Sequence, residues 1–216
     1  YVRMKSLSFF VFIFLCSRVY SQNLVANEGF ELHSGLPSNP GQYGLSIGWS
    51  NCNGTGSPDY FHTNGAGLVQ LPFNFVGTVY PYDGNAVMGF CPYYPSTPDF
   101  REYVSASLID PLVPGNTYSL SFFITNGITS GSYGGQGIDQ LSVAFTIGEP
   151  SQSGWNPIVS VTPQVTYAGI LYDTAWQQVS FQFTATDAFD AVMGSNIKMI
   201  PETGTLMNYP VMSLPK

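Results

Sequence analysis

Charge is scarce in this 216-residue sequence: Asp, Glu, Lys and Arg together make up 9%, and six side chains are basic. Three of those six, Arg3, Lys5 and Arg18, stand near the start, leaving Arg101, Lys198 and Lys216 to face all 13 acidic side chains. Beyond the start the chain thus carries ten more negative than positive groups, which excludes a nucleic-acid or anionic-lipid surface. Histidine is rarer still, with His33 and His62 as the two copies, and there are three cysteines. Cys52, Cys91 and His62 match no compact zinc spacing, and neither histidine stands in a pattern that would activate a cysteine nucleophile. No serine occupies a strand-to-helix elbow. Asp99 and Glu102 are spaced for a helix face, but their surroundings read as loop entering strand, so they are expected to be a solvated pair rather than a glycosidase acid and base. The sequence carries no catalytic constellation.

Long apolar runs are also missing, with one short exception. LSFFVFIFLC, residues 7–16, follows Arg3 and Lys5 and is too short for an ordinary transmembrane helix, and VYS at 19–21 offers the modest side chains a signal peptidase reads. Residues 1–21 are therefore expected to be a signal peptide, with the mature protein starting at Gln22. Cys16 leaves with the leader, because FIFLC lacks the small residue that precedes a lipidated cysteine. No later run is long enough to cross a bilayer, so the expected destination is the outside of the cell or its surface. In that oxidising setting Cys52 and Cys91 have one intramolecular pairing available, and a disulfide is expected over unpaired or intermolecular thiols.

Aromatic residues are plentiful, at 15%. Residues 22–216 suffice for one sizeable domain with its own core, and the dominant period along them is two. YSLSFFIT (118–125), GIDQLSVAFTI (137–147) and WQQVSFQFTA (176–185) alternate as half-buried strands, the first introduced by the turn Pro114-Gly115-Asn116. Shorter strands are expected at Phe30 to Leu32, Leu45 to Trp49, Ala86 to Phe90 and Tyr103 to Leu108, between Gly, Pro, Asn and Asp. With no long amphipathic helix, the pattern gives an all-β protein, a β-sandwich or jelly roll. GSYGGQG (131–137) lies between strands and lacks the lysine of a phosphate loop, so it is an inter-strand loop.

The order of segments adds to this. QNLVANEGFE, GWSNCNGTGSPDYF, FVGTVYPYDGNAVMGF, REYVSASLIDPLVPGNTYSLSFFIT, GIDQLSVAFT and WQQVSFQFTA resemble the galactose-binding-like jelly rolls of exported, surface-associated proteins of gliding and related Bacteroidota. They are similar, more distantly, to carbohydrate-binding modules. The resemblance runs from about Asn23 to Thr186. It implies a β-sandwich with jelly-roll topology, a surface location, and a native protein that continues beyond Lys216 into a sorting domain. It also implies a structural calcium ligand at Glu31, although YPVMSL (209–214) lacks the two aspartates of the family's late strand. No other cofactor is implied.

Two functional readings follow. One is a non-catalytic module that binds a glycan or cell-surface polysaccharide. Sugars need an aromatic face and a few planar polar groups in a preformed surface; Tyr60, Tyr82, Tyr93 and Tyr94 are the candidate platforms, with Asn51, Asp59, Asp83 and Asn85 as hydroxyl partners. The Cys52–Cys91 bond would hold the polar loop 51–58 against CPYYPSTPDF (91–100). Trp49, Trp176, Phe122 and Phe181 are assigned to the core, and His62 to a surface or hydrogen-bonded loop position. The alternative is a structural or adhesive module, packing against neighbouring domains of a surface protein.

Overall fold

The two most strongly alternating stretches lie side by side. β7 (Thr117–Thr125) and β10 (Gln177–Thr184) pair antiparallel along their length. The structure, a computed structural model, describes residues 22–52, 56–92, 101–128, 138–151, 159–195 and 211–213. Its other strands are β1 (Trp49–Ser50), β2 (Asp59–His62), β3 (Phe73–Asn74), β4 (Gly77–Thr78), β5 (Ala86–Gly89), β6 (Val104–Ser107), β8 (Ile138–Thr146), β9 (Val165–Leu171), β11 (Ala191–Ser195) and β12 (Val211–Ser213). A first sheet has the order β1-β6-β11-β8-β9 and a second the order β10-β7-β12-β5-β2, with β3 and β4 as a separate hairpin. From β5 onward the chain passes repeatedly between the sheets, every pairing being antiparallel. This is a jelly-roll β-sandwich, as expected. Among the described residues no helix is long and apolar enough to cross a membrane.

The core lies between the sheets. From the second sheet Phe122, Ile124, Val179 and Met88 point inward, and from the first Leu141, Val143, Phe145 and Val192 meet them. The odd-numbered face expected for β8 is thus the buried one; each large side chain on it contributes about 1.5–3 kcal/mol. Ile147, placed on that face by periodicity, lies past the end of the strand and is exposed.

Two expected strands are not extended. Phe30 closes a turn onto Asn27, its N–H donating to the Asn27 carbonyl at 3.0 Å, and both residues take left-handed φ values of 61° and 53°. Such angles cost a non-glycine residue free energy. Complete burial of the Phe30 ring, 4.7 Å from Trp49, offsets that cost. Leu45 to Trp49 is likewise a short 3-10 turn at Tyr43–Leu45, broken from β1 by Gly48 at φ 85°.

Two smaller apolar clusters lie outside the sandwich. One covers the outer face of the second sheet, where Phe61 and Val87 are packed under Val69, Leu71, Val76 and Val79. The other, on the outer face of the first sheet, gathers Cys52, Tyr103, Ala144, Val159 and Met193.

Candidate functional site

β7 contains two successive aromatics, Phe122 and Phe123, which a strand must send to opposite faces. Phe122 enters the core; Phe123 faces outward in the row of Thr117, Ser119, Ser121 and Thr125. Their partners on β10 are Thr184, Gln182, Ser180 and Gln178, so Phe123 stands opposite Gln178 at one end of a hydroxyl and amide ladder. Cross-strand bonds tie the ladder, Gln182 Nε2 donating to Ser119 Oγ at 3.4 Å and the Thr117 and Thr184 hydroxyls meeting at 3.2 Å.

Phe123 itself is covered. The ring of Tyr82 stacks on it with centroids 3.6 Å apart and planes 16° apart, leaving Tyr82 45% exposed. Trp176 meets Tyr82 edge-on at 6.2 Å, and its indole N–H donates to the Tyr80 carbonyl at 2.8 Å. The turn before Trp176 is fixed to the end of β7 through the Asp173 carbonyl, which accepts the Asn126 N–H at 3.0 Å and the Thr125 hydroxyl at 3.1 Å. An exposed aromatic face is thus held rigidly beside exposed Gln178 and the acidic turn at Asp83. Aromatic planes next to amide and carboxylate groups suit a ligand with apolar C–H faces and hydroxyls.

Of the residues singled out from the sequence, Tyr82, Asp83 and Asn85 lie at this exposed turn. Asp83 Oδ1 accepts the Gly84 N–H at 2.8 Å, and Asn85 Oδ1 accepts the Thr63 hydroxyl at 3.0 Å. Tyr60 is a correction: its ring is wholly buried in the central core and its hydroxyl donates to the Phe30 carbonyl at 3.0 Å. Asn51 and Asp59 are buried too, the first donating to the Gly56 carbonyl at 2.7 Å, the second accepting the Gly41 N–H at 2.7 Å. They hold the 41–59 region from within and offer no hydroxyl partner at the surface. Tyr93, Tyr94 and Asp99 lie outside the described residues.

Further assignments change. Trp176 belongs to the outer cluster and not to the central core, whereas Trp49 and Phe122 are core as expected. His62 is a buried residue of β2, and its Nδ1 accepts the Asn64 N–H at 2.9 Å. Burial holds its pKa below the ordinary value, and the neighbouring His33 acts in the same direction while Glu31 opposes.

The expected Cys52–Cys91 disulfide is not formed; both residues keep buried thiols. The Cys52 thiol turns instead to the Ser105 hydroxyl within the cluster on the outer face of the first sheet. Burial there pushes it up to about 12.

Glu31 does not fit a calcium ligand. Its Oε1 accepts the Asn85 N–H at 2.6 Å and the Ala86 N–H at 3.1 Å, so backbone donors occupy the place a cation would take. Gly84, at φ 64°, lets the turn close on it: a Cβ there would stand 2.2 Å from the carboxylate. Among the described residues no three His, Cys, Asp or Glu gather as a metal site. Glu31 instead clamps the N-terminal segment to the turn that presents Tyr82.

Glu102 is also not the solvated residue expected. It is buried, with Oε1 accepting the Ser57 N–H at 2.9 Å and Oε2 the Cys91 N–H at 2.7 Å. Burial raises its pKa against the pull of these donors. Burial and then the Glu102 charge push Asp59 up to about 8, so Asp59 carries its proton at neutral pH. No sequence pattern marks this pair. Phe123, in contrast, was detectable, because one of two consecutive strand aromatics has to face out.

No family model matches the chain, and no curated protein sequence does. Among solved structures it is similar to the K2 cleaved adhesin domain of Lys-gingipain, at 10% identity and a TM-score of 0.48 over 87% of this chain and 93% of that one. The K3 cleaved adhesin domain of Lys-gingipain from Porphyromonas gingivalis is similar at 14% identity and a TM-score of 0.43, over 88% of this chain and 94% of that one. A tandem CBM22 domain of a Paenibacillus barcinonensis protein is similar at 11% identity and a TM-score of 0.43, over 85% of this chain and 48% of that one.

Proposed function

We propose that residues 22–216 form an exported, non-catalytic module that binds glycans through the aromatic end of the second sheet. Tyr82 is the platform, Phe123 its support and Trp176 its flank; Gln178 and Asp83 receive the hydroxyls. One observation carries the reading: an aromatic ring nearly half exposed is held flat on a buried one, at 3.6 Å between centroids. A ring so supported loses little side-chain freedom when a ligand covers it. The family resemblance, to surface modules of Bacteroidota, and the signal-like start agree with display outside the cell.

A second reading has its own observation. Phe73 of β3 is 70% exposed. Its partner Thr78 bridges to exposed Ile128, and exposed Leu68 bonds back to Phe75. An apolar strip of this kind suits docking of a neighbouring domain, the structural or adhesive alternative. Screening the secreted protein and its Tyr82→Ala variant on bacterial, algal and plant glycans separates the two. Binding lost in the variant supports the glycan module; no binding by the wild type favours the adhesive one, and release of sugar products overturns both.

A further inference from the structure

The aromatic platform is one end of a longer polar face. The outward row of β10, Gln178, Ser180, Gln182 and Thr184, is exposed along its whole length, and the outward row of β7 runs beside it from Phe123 back to Thr117. Six residue steps separate Gln178 from Thr184, so at 3.3–3.4 Å per residue the face is about 20 Å long. It is only two strands wide, at about 4.8 Å between strands, so its long axis follows the strands. Across the same sheet, Phe61 of β2 and Val87 of β5 lie under the 69–79 segment. The bare strip and the covered half meet where that segment runs on to Tyr82.

The chemistry of the strip restricts what it can hold. It presents hydroxyls and amides and no charged side chain. The side chains of Gln178, Ser180 and Ser121 have no partner among the described residues, and Gln182 uses one donor on Ser119 at 3.4 Å. Donors and acceptors of both kinds are thus left for a ligand. The charges at the Tyr82 end, on the exposed turns at Asp83 and Asp173, are acidic. Arg101, the one basic side chain among the described residues, is buried. A glycan bearing carboxylates or sulfates would meet like charge there and no compensating cation.

We propose that the ligand is a neutral, linear polysaccharide in an extended conformation, bound over several consecutive units along β10 and β7. One sugar ring lies on Tyr82, and the following ones lie over the hydroxyl and amide rows toward Gln182 and Ser119. The inference rests on the glycan-binding role of Tyr82 and adds to it the class, length and direction of the chain. A straight strip of about 20 Å matches several pyranose rings of an extended β-1,4-linked chain. A coiled α-1,4-linked chain or a single terminal sugar would leave most of it uncovered.

The probes are β-1,4-linked gluco-, xylo- and manno-oligosaccharides, each as disaccharide and hexasaccharide, with a hexameric oligogalacturonate as the acidic comparator. In calorimetric titrations of the full chain, at least one neutral hexasaccharide is expected to bind about tenfold or more tighter than its disaccharide, and the acidic hexamer not to bind. Gln182→Ala, an exposed change at the far end from Tyr82, is expected to weaken that hexasaccharide about threefold to tenfold, the worth of one hydrogen bond, and so to reduce its advantage over the disaccharide. Equal affinity for disaccharide and hexasaccharide, or unchanged hexasaccharide binding by Gln182→Ala, overturns the extended chain while leaving Tyr82 as a glycan platform. Tighter binding of the acidic hexamer than of every neutral one overturns the neutral class. A wild type that binds no neutral probe overturns this proposal, and the glycan reading falls with it only if the broad glycan screen is empty as well.

Discussion

Tyr82 lies on Phe123 with ring planes 16° apart, yet the two side chains answer to different demands: Tyr82 is 45% exposed and Phe123 9%. Removing each therefore does different damage. Tyr82→Ala is expected to lower stability by about 0.5–1.5 kcal/mol, the worth of a stacked pair. Phe123→Ala removes a buried ring and is expected to cost about 3–5 kcal/mol. Urea denaturation of both variants checks this, and equal losses would mean that Tyr82 is structural.

Asp59 gives the protein a pH dependence of definite sign. Its folded pKa, about 8, lies above the ordinary aspartate value of 3.8 because of burial and the Glu102 charge. The folded state therefore keeps a proton that the unfolded state releases, and stability contributed by this group falls as pH rises from about 4 through 8. Asp59→Asn keeps an oxygen for the Gly41 N–H and removes the titration. The variant's advantage over wild type is expected to grow across that window and level off above it, as read by denaturation midpoints at each pH.

His62 works in the opposite direction. Its pKa is lowered, so the unfolded state takes up a proton first and stability is lost as pH falls below the ordinary histidine value of about 6.5. A protonated Nδ1 would also face the Asn64 N–H that it now accepts. NMR titration of the His62 ring is expected to give a midpoint below that of an unstructured histidine; a midpoint above it would contradict the geometry.

Much of the sheet framework was legible where large apolar side chains alternate with small or polar ones. β10 alternates with an exposed outer face, whereas β8 keeps the same pattern although Ser142 and Ala144 on its outer face are buried, because those side chains are small. β2 and β11 were not legible. Tyr60 packs into the central core while Phe61, next to it, packs under the 69–79 segment, so both faces of β2 are dry. Val192 and Met193 do the same for β11. Burial on both faces erases the period of two, and Asp59–His62, with its polar ends, then reads as a loop bearing an exposed tyrosine. The site was half legible: the turn at Tyr82 to Asn85 was named, whereas its partners Phe123 and Trp176 are brought to it by tertiary packing.

The cysteines supply a chemical check. Cys52 and Cys91 are both buried, and the Cys52 thiol is pushed up to about 12. Without reductant, the chain from Gln22 onward is expected to resist alkylation when folded and to take up label at both positions once unfolded, since thiolate is the reactive form. Linked peptides under non-reducing conditions would show that the bond forms after all.

The measurement that bears most directly on the central claim is a glycan screen in which wild type, Tyr82→Ala and Gln178→Ala are compared at matched stability. Stacking on Tyr82 predicts that a glycan retained by the wild type is lost by Tyr82→Ala, roughly tenfold or more in affinity for a contact worth about 1.5 kcal/mol. Gln178→Ala is expected to weaken the same glycan and no other. A wild type that binds nothing, or a Tyr82→Ala variant that binds as well as wild type, would contradict the account.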